Sequence, residues 1–252
     1  MYNISVRIFD EDSLEFKDQL ESLNEFGIHY IEIDDHIDRI ELINMNGEQI
    51  ERYRNMLIDY NKKIVLLHST INSFDLKKYH LLFKNAHLLK VENIKLCYNN
   101  NEPNTIKLSE LEEILKMGNS YNIRCLIENN AQYFDLNALN NTKLFSIYKD
   151  YSFGLIFNPL EIVKQKAHPF FHVFYKCRYK NSIAFLRIND GLYVDGSSVK
   201  IGEGNAEIKA IISALFARNY NGYLSIESHY QSGADDNIGI VFDILKNILK
   251  II

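Results

Sequence analysis

Apolar residues follow two different periods along this chain. Eight short runs rich in Ile, Leu, Val and Phe are nearly continuous, which is typical of strands buried on both faces of a parallel sheet. Between most of these runs, apolar residues recur every three or four positions, which is typical of helices with one buried face. The runs span residues 4–9, 30–33, 64–68, 94–98, 125–128, 154–157, 183–188 and 223–227.

The helical segments support a regular alternation of strands and helices. Leu20, Leu23 and Phe26 lie on one stripe before Gly27, a residue that commonly ends a helix. Eight strand candidates in 252 residues, most of them separated by a helix or a helix-sized gap, predict an α/β fold. We predict one (β/α)8 TIM barrel over residues 1–252, with parallel strands inside and helices outside. A doubly wound open sheet is the alternative, but no G-x-G-x-x-G follows the first run, so its dinucleotide-binding form loses support.

Charge and composition exclude several classes of partner. The net charge is -5 and no basic stripe is present, so a nucleic acid partner gains no electrostatic support. No apolar run reaches the 18 residues of a membrane span, and residues 1–12 lack the basic and apolar regions of a signal peptide. We therefore expect neither a membrane nor export.

The cysteines favour a reducing compartment. Cys97, Cys125 and Cys177 are odd in number, widely spaced and without a C-x-x-C pair, which predicts a cytoplasmic protein rather than a disulfide framework. Cys97 and Cys125 lie in apolar runs, where we expect them to pack as small apolar side chains.

Polar residues stand where the predicted strands end. In barrels of this type the active site lies at the C-terminal ends of the strands, so these side chains are expected to converge. They are Glu32, Asp34, Asp35, His68, Tyr98, Asn99, Glu128, Asn129, Asn130, Asn158, Arg187, Asn189, Asp190, Glu227, Ser228 and His229. Glu128 and Glu227 are the leading candidates, because a carboxylate that ends an apolar run is costly to bury unless it is paired.

Each candidate also has a structural interpretation. Glu128 and Glu227 could cap neighbouring helices or form a structural ion pair, and His68 could be a hydrogen-bonded histidine of the interior. Asn129 could begin a helix. Asp190, in a glycine-rich loop, is expected to be an ordinary turn residue.

Four segments carry a family resemblance. GIHYIEID with Glu32, CLIEN with Glu128, IGEGNAEIKAIISAL with Gly202 and Gly204, and GYLSIE with Glu227 are similar to segments of the xylose isomerase-like barrels. That superfamily includes sugar-phosphate isomerases and epimerases and the AP endonucleases. The order and spacing of the four segments cover nearly the whole chain.

The resemblance implies a divalent metal such as Mn, Mg or Zn, held by Glu, Asp, His and Glu on strands five to eight. Glu128 and Glu227 match the two glutamates, whereas Asn158 stands at the Asp position and Arg187 near the His position. Three carboxylates with a doubly charged ion carry the same net charge as two carboxylates with one guanidinium. We therefore hypothesise a divergent, metal-free site in which Arg187 bridges Glu128 and Glu227; a metal on these two glutamates is the alternative.

The resulting functional hypothesis is a sugar or sugar-phosphate isomerase or epimerase. Glu128 and Glu227 would move a proton between faces of a carbon, and Arg187, Asn158 and His68 would stabilise the enediolate. Glu32 and Asn129 are further candidates for substrate binding. The alternatives are a catalytically inactive barrel that binds a sugar-like ligand or a protein partner, and, less favoured, a nuclease of the AP-endonuclease type. Assembly of the chain into a homo-oligomer is a further possibility that the sequence leaves open.

Overall fold

Eight parallel strands form a closed barrel in the computed structural model of the chain, which describes residues 2–10, 14–97, 108–129, 148–175, 178–227 and 238–251. The order around the barrel is β1-β8-β7-β6-β5-β4-β3-β2, so each strand lies beside its neighbour in sequence. The strands are β1 (Asn3–Arg7), β2 (Tyr30–Asp34), β3 (Lys63–His68), β4 (Asn93–Lys95), β5 (Arg124–Glu128), β6 (Phe153–Phe157), β7 (Ile183–Arg187) and β8 (Tyr223–Glu227). The predicted (β/α)8 TIM barrel is confirmed.

Helices on the outside of the barrel connect most of the strands. They are α1 (Phe16–Ser22), α2 (Gly47–Asp59), α3 (Leu76–Leu88), α4 (Leu108–Ser120), α5 (Pro159–Val163), α6 (Ile208–Phe216) and α7 (Ile238–Ile251). A π-helical turn at Pro169–Tyr175 and a 3-10 turn at Arg178–Asn181 lie between α5 and β7. Within the described part of the chain, no helix has both the length and the apolar character needed to cross a membrane.

Continuous burial explains why the apolar runs become strands. All five residues of β6 and all five of β7 are buried, as parallel strands between a barrel interior and outer helices must be. Phe157 and Phe185 are fully buried, and so is Arg187, the last residue of β7. A charged side chain at the end of such a strand has to find its counter-charges inside the protein.

Strand four differs from the expectation. Its predicted run extended to residue 98, but the observed strand ends at Lys95. Cys97, beyond that end, is exposed, so its expected role as a packed apolar side chain is wrong. Cys125 on β5 is buried as expected, and burial raises the pKa of its thiol. Of the other residues singled out in the sequence, Tyr98, Asn99, Asn130, Cys177, Ser228 and His229 lie outside the described residues.

The chain packs as two compact units. The N-terminal unit comprises Ser5–Ile127 and Tyr148–Phe153; the C-terminal unit comprises Met1–Ile4, Glu128–Ile147 and Gly154–Ile252. In the N-terminal unit, Tyr79 of α3 is fully buried, its hydroxyl donates to the Ile71 carbonyl at 3.1 Å, and burial raises its pKa. The assignment of all 252 residues to one domain stays a prediction.

Candidate functional site

A buried arginine lies between two carboxylates in the C-terminal unit. The side chain of Arg187 has no exposed surface. Its Nε donates to Glu128 Oε1 at 3.3 Å, and its Nη2 lies 3.4 Å from Glu227 Oε1. The two glutamates remain partly accessible to solvent, because the Glu128 side chain is 12% exposed and the Glu227 side chain is 24% exposed. The structure thus brings together the three residues that the sequence singled out first.

Strand register explains how the arginine reaches this position. Arg187 pairs with Ser225 across β7 and β8, and Arg187 Nη1 donates a hydrogen bond to Ser225 Oγ. Side chains two positions apart in a strand point to the same face, so Ser225 and Glu227 both face the guanidinium side. The sequence reasoning missed Ser225. Its signal was a lone serine inside the apolar run YLSIE, two residues before a glutamate.

Asn158 follows β6 and completes the surroundings of Glu128. Its Nδ2 donates to Glu128 Oε1 at 3.0 Å, so this oxygen accepts from both Asn158 and Arg187. Asn158 occupies the position before the first turn of α5, where an Asn side chain usually accepts from the helix backbone. Here its side chain makes no such cap. The amide is therefore committed to Glu128 rather than to the helix.

Asn129 holds the backbone that carries Asn158. Its Nδ2 donates to the Asn158 carbonyl oxygen at 2.8 Å, and the Asn158 N–H donates to Asn129 Oδ1 at 2.6 Å. This reciprocal pair ties the chain leaving β5 to the chain leaving β6, much as a strand ladder would. Asn129 is 1% exposed, so both polar ends of a buried side chain are used in positioning Asn158.

These residues do not fit the metal site that the family resemblance implies. Divalent ions are bound by the oxygens of carboxylates, carbonyls and water and by imidazole nitrogens. Glu128 and Glu227 supply two carboxylates, but the group between them is the permanently protonated guanidinium of Arg187, which repels a cation. Across the described ranges, no group of three or more His, Cys, Asp or Glu side chains is placed to hold a metal ion.

The glycine-rich loop after β7 is built around Asp190. This carboxylate is 2% exposed and accepts from the backbone N–H groups of Gly191, Gly202, Gly204 and Ala206 at 2.8–3.1 Å. The expectation that Asp190 is an ordinary turn residue is therefore wrong, because its charge is buried and satisfied by backbone donors from across the loop. A Cβ at Gly204 would come within 2.5 Å of the Gly191 carbonyl oxygen, so only glycine allows this approach.

Glu32 and His68 form a second buried pair, in the N-terminal unit. Glu32 has no exposed surface; its Oε2 lies 3.0 Å from His68 Nε2, and its Oε1 accepts from the Ser5 hydroxyl at 2.6 Å. A buried carboxylate keeps its charge only when such partners surround it. Ser5 was not anticipated, although it is a single hydroxyl in the apolar first run.

The remaining acidic residues at the end of β2 make contacts of their own. Asp34 Oδ1 accepts from Arg7 Nη2 at 2.6 Å. Asp35 Oδ2 accepts from the Thr70 backbone N–H at 2.6 Å and, at 3.0 Å, from the Thr70 hydroxyl. Both carboxylates are thus held within the N-terminal unit, and their contacts join the end of β2 to β1 and to the segment after β3.

Solved structures share this fold over almost their whole length. A xylose isomerase domain protein from Planctomyces limnophilus is 11% identical, with a TM-score of 0.77 over 100% of this chain and 98% of its own. A xylose isomerase-like TIM barrel protein from Mycobacterium smegmatis, in complex with magnesium, is 15% identical, with a TM-score of 0.71 over 100% of this chain and 96% of its own. The 3-keto-D-glucoside 4-epimerase from E. coli is 12% identical, with a TM-score of 0.70 over 98% of this chain and 99% of its own.

These likenesses establish the fold: the chain has the barrel of the xylose isomerase-like proteins, as its sequence segments predicted. No protein-family model and no curated protein matches the sequence. One barrel fold hosts many chemistries, so the activity has to be argued from the site itself.

Proposed function

We propose that the chain is an enzyme of the sugar isomerase or epimerase type, which moves a proton at a carbon of a carbohydrate without a metal ion. One observation carries the proposal: a fully buried Arg187 lies between Glu128 and Glu227, each of which keeps an exposed fraction open to a ligand. Two carboxylates at one cation give an acid and a base that can serve the same carbon.

Each of the three residues has a distinct role. One glutamate, as a carboxylate, removes the proton next to the substrate carbonyl, and the other, which enters the step as a carboxylic acid, donates its proton to the resulting enediolate. Proton exchange with solvent then restores both starting states. Arg187 holds both carboxylates in place and supplies positive charge beside the anion that forms. Its bond to Ser225 fixes the guanidinium, so little reorganisation is needed when that anion develops. Glu32 and His68 stay predictions as residues that bind substrate.

The neighbours in structure support this class of activity. They include the 3-keto-D-glucoside 4-epimerase from E. coli and a D-tagatose 3-epimerase-like protein, so a barrel of the same fold occurs in a sugar epimerase. Their likeness lies in the fold, and the activity proposed for this chain depends on Glu128, Arg187 and Glu227.

Solvent exchange provides a direct test. Chelator-treated protein is incubated in D2O with neutral aldoses and ketoses and with their phosphates, and deuterium at carbon is followed by NMR. We expect exchange with at least one sugar, and a loss of about 10²- to 10⁴-fold in Glu128→Gln and Glu227→Gln. Glu113→Gln, on an exposed position of α4, is the matched control and should keep full activity. Exchange that persists in both variants, or that requires added Mn²⁺, Mg²⁺ or Zn²⁺, would contradict the proposal.

A carbohydrate-binding barrel without catalysis is the second candidate. Arg187 favours it, because an arginine that contacts both glutamates and offsets one of their two negative charges could also hold them in a purely structural cluster of charges. The same experiment separates the two. Sugar binding without deuterium uptake would assign the site to recognition alone.

A further inference from the structure

Asn158 carries a polar atom that the site around Glu128 does not use. The residue is 7% exposed, and its Oδ1 is buried without a hydrogen-bond partner among the described residues. The other polar groups of Asn158 are all engaged: Nδ2 with Glu128, and its backbone N–H and carbonyl with Asn129. A buried acceptor left without a donor is costly, so one with no donor among the described residues is a candidate to accept a hydrogen bond from a bound ligand.

The direction of this amide follows from its neighbour. A carboxylate only accepts hydrogen bonds, so the side of Asn158 that faces Glu128 Oε1 at 3.0 Å must be the NH₂ group. Oδ1 consequently points to the other side of the amide. The Asn129 pair fixes the backbone at the same time, so the amide cannot easily turn to find another donor.

A second buried acceptor lies close in sequence to Arg187. Asn189, two residues after the end of β7, also has an Oδ1 that is buried and unpartnered among the described residues. Asn158 directly follows β6 and donates to Glu128, and Asn189 follows β7, the strand that ends in Arg187. Each of these amide oxygens matches a ligand group that donates a hydrogen bond.

We infer that Asn158 Oδ1 is a substrate-binding acceptor for an uncharged hydroxyl group, so that the ligand presents a polyol, and not a phosphate or carboxylate, beside Glu128. A phosphate dianion has only acceptors to offer, and it would meet both the amide oxygen and the Glu128 carboxylate with like polarity. A sugar hydroxyl donates to Oδ1 and carries no charge. The inference rests on the proposed function only in taking the ligand to be a carbohydrate.

A thermodynamic cycle between ligand and protein tests it. Binding of D-xylose, D-glucose, D-fructose and D-tagatose is measured by calorimetry, together with that of gluconate and glucose 6-phosphate. The monodeoxy derivatives of the tightest neutral sugar follow, on wild type and on Asn158→Ala. We expect that one monodeoxy derivative binds wild type about tenfold more weakly than its parent sugar does. On Asn158→Ala, the same derivative and its parent sugar should bind with equal affinity.

The matched control is Asn93→Ala. Asn93 has the same 7% exposure, but its amide donates to the Val65 carbonyl at 2.7 Å in the N-terminal unit. This variant accounts for any general effect of truncating a buried asparagine, and it should leave the sugar affinities unchanged.

Several outcomes would overturn the inference: no binding of any neutral sugar in the panel, tighter binding of the anionic probes than of the neutral ones, or equal sugar affinities in Asn158→Ala and wild type. Stoichiometric Mg²⁺ or Mn²⁺ binding that Asn158→Ala abolishes would instead assign this oxygen to a metal. Catalysis is measured separately. If removing the sugar hydroxyl and removing the Asn158 side chain have coupled effects on binding, but no deuterium enters the sugar, the inference is supported and the proposed enzyme activity is contradicted.

Discussion

Removing the charge of Arg187 should destabilise the protein far more than removing a similar charge from its surface. The variants are Arg187→Met, Glu128→Gln and the double variant. The pair Arg54 and Glu51 on α2 offers a matched control of the same residue types, with N–O 3.6 Å against 3.3 Å for the buried pair. Its side chains are 40% and 65% exposed, whereas Arg187 has no exposed surface.

The difference in burial sets the expected magnitudes. At 3.3 Å and an effective dielectric constant of about 20, a charge pair attracts by about 5 kcal/mol; at 3.6 Å in water the value is about 1 kcal/mol. Desolvation cancels part of the first figure, so removing one partner of the buried pair should cost about 3–5 kcal/mol. The exposed pair should contribute about 0–1 kcal/mol. In a chain of this size Arg187→Met should lower Tm by about 6–20 °C.

Urea unfolding followed by circular dichroism measures the double-mutant cycle of each pair, Arg187 with Glu128 and Arg54 with Glu51. We expect a coupling of about 2–3 kcal/mol between Arg187 and Glu128, since the double variant leaves only Glu227 without its counter-charge, whereas Arg187→Met alone leaves both glutamates without it. Between Arg54 and Glu51 we expect less than about 0.5 kcal/mol. Single-variant effects that simply add at the buried pair would refute the reasoning. So would an exposed pair that couples as strongly as the buried one.

Two further predictions concern stability elsewhere in the chain. Gly204→Ala should lower the free energy of unfolding by about 1–3 kcal/mol in thermal denaturation, because its Cβ would collide with an Asp190 carboxylate that four N–H groups hold in place. Gly47→Ala, whose Cβ meets nothing within 4 Å, should be neutral or slightly stabilising, and equal effects of both changes would count against the close approach. Burial and the Asp38 hydrogen bond raise the pKa of Tyr53 to about 12, so the native state keeps a proton that the unfolded chain loses near pH 10.0. Stability should therefore fall between those two pH values, and Tyr53→Phe should show a smaller fall in urea titrations; an identical fall would contradict the assignment.

The strands could be predicted because their burial is continuous. The run at 223–227 coincides with Tyr223–Glu227, whose three middle residues are buried. The run at 94–98 did not predict where β4 ends, because the alternation of Ile94 and Leu96 continues past Lys95 although the strand does not. Hydropathy reports burial, and strand length depends on backbone pairing as well.

The charged residues of the site were within reach of the sequence, and their hydrogen bonds were not. Glu128 and Glu227 each end an apolar run, and Arg187 is the one charged residue inside the run at 183–188, so all three positions can be read from the sequence. The hydrogen bond from Arg187 to Ser225 depends on the register between β7 and β8. An error of one residue in that register would place the Ser225 side chain on the opposite face of the sheet. Asp190 was misjudged for a related reason, since its backbone donors lie up to 16 residues further along the chain.

The single arginine between two glutamates also constrains how this barrel can change over evolutionary time. The four-ligand set of the resembling family differs at Asn158 and Arg187. Changing Arg187 first strips two facing acids of their counter-charge, and changing Asn158 to Asp first adds a third acid beside them. Both single steps disfavour the folded state before a metal could compensate. An evolutionary change from this site to a metal site would therefore need both substitutions almost together, because each single substitution leads through a less stable protein.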